Sequence, residues 1–483
     1  MAANLRRNLA AASTGKLVFF AAAFVRNLLV ARVFVPADFG AWNLGLVWLQ
    51  YGQWSHLTLL NAFRLDGART RGAGDAERFD ELCRLAWTAS FVPAVGVALV
   101  GVAGAFAVGD PGLRAALVML AVLIIPYQLY TFAGSYLSVN EQFVILGQMQ
   151  ALYAVLNLVL TLALAAWAGF GGALAAQALS YGIVLVAYRR HCPLWMRPLL
   201  RPGLILEQLR LGLPIGLNGV VYSLFVTLDR VLIGMWLGVE ALGQYGLTSL
   251  ARASLGLIPD AISEVVYVRA SHHYGAERSP QGVLAIVVKA DRALAHLIAP
   301  AIGLGIVWLP AIITWLLPQY VGGISAVQVF LFGLYFMFPN YAGVLLTVMG
   351  QAKQVLAVYI VVVVLQAGLL RGALERWGIL GAAGTTALVS FGFFVLINLY
   401  GLWRAGVDIR FALRHWLICT LPAAAMGLGL VAGQWLGNAW FPAENLLARA
   451  GVGTLTVLAA SLPLLAWQAR GLNLRALVSS GPA

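Results

Sequence analysis

Arg26, Arg32, the adjacent pair Asp229-Arg230, Arg252, Asp260 and Glu264 stand inside stretches whose other residues are almost all apolar. An ionisable group near the middle of a membrane helix costs at least ~2.5–3.5 kcal/mol, so those that persist face a cavity or a partner. Guanidinium stays charged and grips phosphate through two parallel hydrogen bonds. Arg26, Arg230 and Arg252 are therefore candidate anion-binding groups. Arg32 is a fourth, close enough to the end of its run to snorkel to the interface instead. Asp229 has two readings, a coupling acid or a structural counter-charge to Arg230 or Arg26. Asp260 and Glu264 lie one turn apart on one helix face. Either they bind protons or cations, or they pair with loop arginines. Arg26 and Arg252 have no acid nearby on their own runs. Amide and aromatic positions in the same runs, Asn27, Gln50, Gln53, His56, Asn218, Tyr222 and Gln244, supply candidate contacts for sugar hydroxyls. Each hydroxyl left unpaired in an apolar medium costs roughly 2–7 kcal/mol.

The elements that must position these groups are membrane helices. Hydrophobic residues make up 61% of the 483 positions and charged residues only 10%, too few charges to solvate a soluble protein of this length. With ~20 apolar residues per crossing, about fourteen spans fit. They fall near 9–33, 41–62, 85–108, 114–137, 143–168 and 170–188, then 212–237, 241–267, 286–310, 322–348, 354–374 and 378–402, then 412–436 and 447–468. Spans 5 and 6 are divided only at Gly169–Gly172. The basic N-terminal segment with Arg6, Arg7 and Lys16 mimics a signal peptide, but the apolar stretch runs on to Phe34 and reads as the first span. Arginines crowd the segments at 63–84, 189–211 and 403–414, while the opposite face receives Arg114, Arg371, Arg376 and Arg449. That bias predicts both termini on the cytoplasmic side of the membrane.

The chain repeats itself. Pro36-Ala-Asp-Phe-Gly-Ala-Trp-Asn-Leu44 lies over Val239-Glu-Ala-Leu-Gly-Gln-Tyr-Gly-Leu247, matching Gly40 with Gly243, Trp42 with Tyr245 and Leu44 with Leu247. Upstream, Arg26-Asn27 falls over Asp229-Arg230. Six spans separate the copies, which makes them parallel repeats. The expected fold class is all-α integral membrane, about fourteen spans organised as two parallel repeats. The expected division is 1–188, a cytoplasmic linker 189–211 containing the amphipathic piece Leu204–Arg210, a second lobe 212–402, and accessory spans with a tail at 403–483. Turns are expected at 35–40 and 238–243. A loop at 63–84 is expected to end in an interfacial helix, N-capped by Asp75 and carrying an Asp80/Arg84 pair.

Two segments carry a family resemblance. Leu28-Leu-Val-Ala-Arg-Val-Phe-Val-Pro-Ala-Asp-Phe-Gly40 resembles the span 1–2 turn of the Wzx-type polysaccharide flippases of the multidrug/oligosaccharidyl-lipid/polysaccharide exporter superfamily. Leu213-Pro-Ile-Gly-Leu-Asn-Gly and Leu228-Asp-Arg-Val-Leu-Ile-Gly-Met-Trp-Leu-Gly-Val-Glu-Ala-Leu-Gly-Gln-Tyr-Gly246 look like that family's seventh span and its Asp-Arg…Gly-Tyr segment. Val35 replaces the glycine often found before the proline of the first turn, which bears on turn geometry. The resemblance implies a fourteen-helix fold in a bacterial inner membrane, two six-helix lobes around a central cavity plus two accessory helices. It also implies translocation of an undecaprenyl-pyrophosphate-linked oligosaccharide from the cytoplasmic to the periplasmic leaflet by alternating access, for O-antigen, capsule or exopolysaccharide synthesis. Basic cavity residues for the anionic head group carry over to Arg26, Arg230 and Arg252, with Arg32 beside them. A polysaccharide polymerase is an implied partner.

Other classes fit less well. Cation-coupled drug exporters of the same superfamily typically place an acid in span 1, where this chain has two arginines. A polymerase or glycosyltransferase needs a sizeable outer loop, and the segments at 437–446 and 107–113 are short. The net charge of +13 is spread over short loop blocks, the pattern of anionic lipid contact and not of nucleic-acid binding. Cys83, Cys192 and Cys419 are far apart in sequence and imply neither a disulfide framework nor a metal site. His272-His273 point apart on a helix. No Gly-rich Walker loop is present. A non-enzymatic transporter without a cofactor is the expectation.

Overall fold

The described chain is built of helices. The computed structural model describes the backbone of residues 2–107, 111–277 and 279–471, with side chains throughout except at 2–17, 111–113, 214–215, 257–258, 260–261, 264, 268, 275–277 and 469–471. In order the helices are α1 (Ala2–Val33), α2 (Pro36–Gly52), α3 (Leu59–Ala73), α4 (Ala76–Ala105), α5 (Pro111–Val139), α6 (Phe143–Tyr188) and α7 (Pro202–Trp236). Then follow α8 (Gly238–Glu277), α9 (Pro280–Leu316), α10 (Ile324–Leu334), α11 (Ala342–Val348), α12 (Ala352–Arg404), α13 (Ile409–Trp440) and α14 (Leu446–Gly471). Among the described residues there is no strand, and nine helical segments are long and apolar enough to cross a bilayer. Large apolar side chains point outward, with Trp167 85% and Trp315 82% exposed, as lipid-facing or interfacial groups do. The protein is a multi-pass helical membrane protein.

Two compact units divide the chain, Met1–Thr227 and Leu228–Ala483. In each, one long helix folds back on itself at a glycine. In α6 the break is at Gly169 (φ 55, ψ −135), and in α12 at Gly378 (φ 54, ψ −138). Those backbone angles approach a region reserved for glycine. Three residues on, Gly172 and Gly381 lie so close to the preceding segment that a Cβ would stand 1.9 Å from Leu164 O and 2.1 Å from Ala373 O. The same Gly-x-x-Gly corner thus recurs in both units.

Membrane spans can be interrupted only where protein re-satisfies the backbone. The segment at 41–62, expected as one span, is broken between α2 and α3 by a 3-10 turn, Gln53–His56, followed by Leu57 and Thr58 at positive φ (47° and 67°). Gln128 on α5 donates to Gly52 O and to Ser55 Oγ, both at 2.7 Å, and the Thr58 N–H donates to His56 Nδ1 at 3.1 Å. The segment at 322–348, expected as one span, is interrupted between α10 and α11. There the Asp291 carboxylate accepts from Tyr341 N at 2.9 Å, and Asn398 Nδ2 donates to Pro339 O at 3.2 Å. Asp291 also lies 3.5 Å from His415 Nε2, tying α9 to α13 through fully buried groups.

Several expectations are revised. The segment at 63–84 is helical almost throughout, because α3 continues to Ala73 and α4 starts at Ala76. Asp75 does cap α4, accepting from Arg78 N at 3.0 Å, and Asp80 lies 3.9 Å from Arg84. The turns expected at 35–40 and 238–243 are shorter, since α2 begins at Pro36 and α8 at Gly238. The amphipathic Leu204–Arg210 piece forms the opening turns of α7, which runs on to Trp236. The non-helical segment before it straps onto α4. Trp87 Nε1 donates to Leu194 O at 2.7 Å, Leu199 N donates to Thr88 Oγ1 at 2.9 Å, and Arg201 pairs with Glu81 at 2.8 Å.

The first part of α7 belongs with the first unit because small residues line its contact with the broken span. Added Cβ atoms at Gly212, Gly216 and Gly219 would meet Thr58 O at 2.6 Å, the Thr58 side chain at 1.9 Å and Trp54 at 2.3 Å. Further along, Trp54 Nε1 donates to Ser223 Oγ at 3.3 Å, and Tyr51 and Thr227 hydroxyls meet at 2.6 Å. Small side chains let membrane helices approach closely enough for such bonds.

Candidate functional site

The first unit encloses a cavity of about 210 Å³ whose lining includes Arg26, Gln50, Gln53, Asn157, Gln177 and the tyrosines 127, 153 and 181. Four elements converge to make it. α1 brings Arg26, α2 and the turn after it bring Gln50 and Gln53, α5 brings Tyr127, and both segments of α6 bring the remaining amides and two tyrosines. The Gly169 corner makes this possible, because it folds the second segment of α6 back so that Gln177 reaches Asn157 and Tyr153. Asn157 Nδ2 donates to Gln177 Oε1 at 2.8 Å, and Gln177 Nε2 donates to the Tyr153 hydroxyl at 2.6 Å. Tyr153 and Tyr181 stack at 4.8 Å, with Tyr127 edge-on to Tyr181 at 5.8 Å.

Arg26 is the charge in this wall, 8% exposed. Its Nη1 donates to Asn157 Oδ1, its Nε and Nη2 donate to Asn27 Oδ1 at 3.2 and 2.9 Å, and its guanidinium lies 5.5 Å from the Trp42 ring. These partners are all neutral, and none of the residues lining the cavity is acidic. A buried charge left uncompensated costs several kcal/mol, so this arrangement is complementary to an anion.

The equivalent place in the second unit has the opposite sign. Asp229, matched to Arg26 by the internal repeat, is 1% exposed. It accepts from the Tyr245 hydroxyl at 2.6 Å, from Thr386 Oγ1 at 3.3 Å and from Arg230 N at 2.8 Å. Tyr245 is the repeat partner of Trp42. Thr386 stands as far beyond Gly381 as Gln177 stands beyond Gly172. One framework therefore holds a cation in the first unit and an anion in the second.

Of the site residues expected from sequence, the structure brings Arg26, Asn27 and Gln53 together in the first unit, where the Tyr127 hydroxyl donates to Gln53 Oε1 at 3.3 Å. Asn218 and Tyr222 sit on the first part of α7, away from the cavity lining, and Tyr222 is exposed. Arg32 is exposed on the last turn of α1. Arg230 and Arg252 are half-buried in the second unit, and Arg252 Nη1 donates to Met337 Sδ at 3.5 Å. The side chains of Asp260 and Glu264 lie outside the described residues. His56 is buried and occupied in capping Thr58, and Gln244 Nε2 donates to Gln319 O at 2.8 Å. Sequence reasoning missed Asn157, Gln177 and the three tyrosines. Their signal was available, as amides inside apolar runs and a fixed step beyond a repeated Gly-x-x-Gly.

The fold is shared with known transporters. The chain superposes on the lipid II flippase MurJ in its inward closed conformation with a TM-score of 0.69 at 14% identity, covering 95% of this chain and 99% of that one. An inward-facing multidrug resistance MATE family transporter of the MOP superfamily matches at 0.66 and 16% identity, covering 80% and 94%. A MOP superfamily transporter from Pyrococcus furiosus, described as having a binding pocket of reverse polarity, matches at 0.57 and 16% identity, covering 82% and 94%. No curated protein matches the chain in sequence. The model of one family, described as polysaccharide biosynthesis protein, matches residues 29–320, more than half of the chain. With that span running from the end of α1 past α9, the chain belongs to the polysaccharide biosynthesis protein family.

Proposed function

We propose that the protein is a flippase that moves a polyprenyl-pyrophosphate-linked oligosaccharide from the cytoplasmic to the periplasmic leaflet of a bacterial inner membrane. The observation that carries this reading is the buried Arg26, held by neutral groups in a cavity of amides and tyrosines, in a chain of the polysaccharide biosynthesis family. Amides and aromatic faces suit sugars, and guanidinium suits an anionic substrate. Transport by alternating access would use lobes at 1–188 and 212–402, the linker 189–211 between them, and an accessory segment at 403–483, with both termini cytoplasmic. Arg230 and Arg252 contribute to anion binding in the second lobe, with Arg32 at the outer end of the first. Asn218 and Tyr222 are further sugar contacts, and a polymerase is the natural recipient of the product.

The test is leaflet-sidedness of the lipid-linked oligosaccharide in cells making the glycan. Deletion, and the double variant Arg26→Ala with Arg252→Ala, should trap it on the cytoplasmic leaflet, the double variant slowing flipping at least ~10-fold, equivalent to ~1.4 kcal/mol. Normal sidedness in the deletion strain, with no redundant transporter, would sink the reading.

Moving a negatively charged head group outward runs down a potential that is negative inside, a gain of ~2.3 kcal/mol per charge per 100 mV. Dissipating the potential in proteoliposomes should therefore slow flipping, with Asp229, Asp260 and Glu264 as the acids available for ion coupling. An unchanged rate would remove the potential from the mechanism. The alternative, a cation-coupled exporter, draws its support from the buried Asp229 cluster. It predicts transport of soluble cations and no change in glycan sidedness.

A further inference from the structure

We propose that the cavity of the first unit is a subsite for a single acidic sugar residue, its carboxylate on Arg26 and its ring among Tyr127, Tyr153 and Tyr181. This inference rests on the flippase reading and names the glycan class that the protein selects. Size is the first argument. At about 210 Å³ the cavity falls below the range of roughly 300–1,000 Å³ typical of drug-sized ligands, which is the scale of one sugar ring at a time.

The lining is the second argument. A phosphate-only site would gather several cations or backbone N–H groups. Here one guanidinium is surrounded by four amides and three phenols. Amides offer both donors and acceptors, which matches hydroxyls that are themselves both, whereas a pyrophosphate offers acceptors only. Aromatic rings present apolar faces to the C–H face of a sugar, with hydroxyls at their rims.

Charge is the third argument. Asn27 and Asn157 hold the guanidinium in place without neutralising it, and the Trp42 ring lies 5.5 Å away. The cavity lining supplies no acid. The compensating charge must therefore arrive with the ligand, and a carboxylate fits the planar fork of a guanidinium. A neutral sugar would leave the charge unmet.

The experiment uses the full-length protein in lipid nanodiscs at constant ionic strength, with thermal shift and isothermal titration calorimetry as readouts. The probes are sodium glucuronate, glucose and inorganic phosphate at millimolar concentrations. Glucuronate should bind saturably and at least ~10-fold more tightly than glucose, a difference of ~1.4 kcal/mol. Arg26→Gln should erase that preference. Gln53→Ala should weaken both sugars several-fold and keep the preference, so the proposal remains testable if the Arg26 variant does not fold. Phosphate binding as strongly as glucuronate, equal affinity for glucuronate and glucose, or saturation by neither sugar would each overturn it. Sidedness in cells separates this from the flippase reading. Glucuronate binding with unchanged sidedness on deletion keeps the subsite and discards the flippase.

Discussion

Gly381→Ala and Gly172→Ala are expected to abolish the folded protein, whereas Gly384→Ala leaves it intact. At the first two positions a single methyl group would sit 2.1 Å from Ala373 O and 1.9 Å from Leu164 O. Those atoms are backbone, so no rotamer change relieves the overlap, and the two helical segments must separate. Overpacking into side chains typically costs ~1–3 kcal/mol, and forcing a backbone apart exceeds it. The expected loss is more than ~4 kcal/mol, at the far end of what single substitutions do. Gly378→Ala tests a different cause, because nothing lies within 4 Å of its added Cβ and only its φ of 54° opposes a side chain. It should cost ~1–3 kcal/mol. Gly384 is helical with open space around it, so alanine there should gain up to ~1 kcal/mol. Melting temperatures of purified variants, read by fluorescence-detected gel filtration, give the order directly. A Gly381→Ala protein that melts like wild type would show that the corner does not constrain the fold.

The second large effect is expected at Asp229. Replacing it with alanine removes the shared acceptor of the Tyr245 hydroxyl and Thr386 Oγ1, both in buried residues. A donor or acceptor buried without its partner costs ~1–3 kcal/mol, so Asp229→Ala should lose ~2–4 kcal/mol. Tyr245→Phe removes one donor and should cost less. The double variant should lose less than the sum of the two, with a coupling of at least ~1 kcal/mol, because each single change already breaks the same bond. Additivity within ~0.5 kcal/mol would mean that the two groups do not interact. Asp229→Asn keeps an acceptor for Tyr245, which separates the carboxylate's charge from its place in the structure. If flipping depends on proton or cation coupling at this position, Asp229→Asn folds normally and transports poorly. If the carboxylate serves only as a clasp, transport survives the exchange.

The cation in one unit and the anion in the other arise from one repeated framework. Ancestral copies of a span pair need not keep the same charge, because each unit solves its own desolvation problem locally. Asp229 is satisfied by a phenol, a threonine and a main-chain N–H within its own unit. Arg26 is positioned by amides and a ring that leave its charge in place. The first arrangement completes itself, and the second asks for a ligand. That difference is the reason for placing the substrate's charge in the first unit.

The sequence by itself determined the class of the fold, a multi-pass bundle of membrane helices. Apolar run length reports the solvent a helix must meet, and a run long enough to cross a bilayer leaves the backbone few alternatives. Gly169–Gly172 could be read as a division between spans because glycine at a required left-handed angle is a local property. The tertiary structure decided which polar groups meet. Asn157, Gln177 and Tyr153 lie on two helical segments, and only the fold at Gly169 brings them to one wall. His56 had the composition of a sugar contact and is instead the cap of a broken span. Asp291 and His415, far apart in sequence, became neighbours that join α9 to α13. Residue type records what a side chain can do, whereas partners on other helices are set by packing, and packing leaves little trace in any one segment.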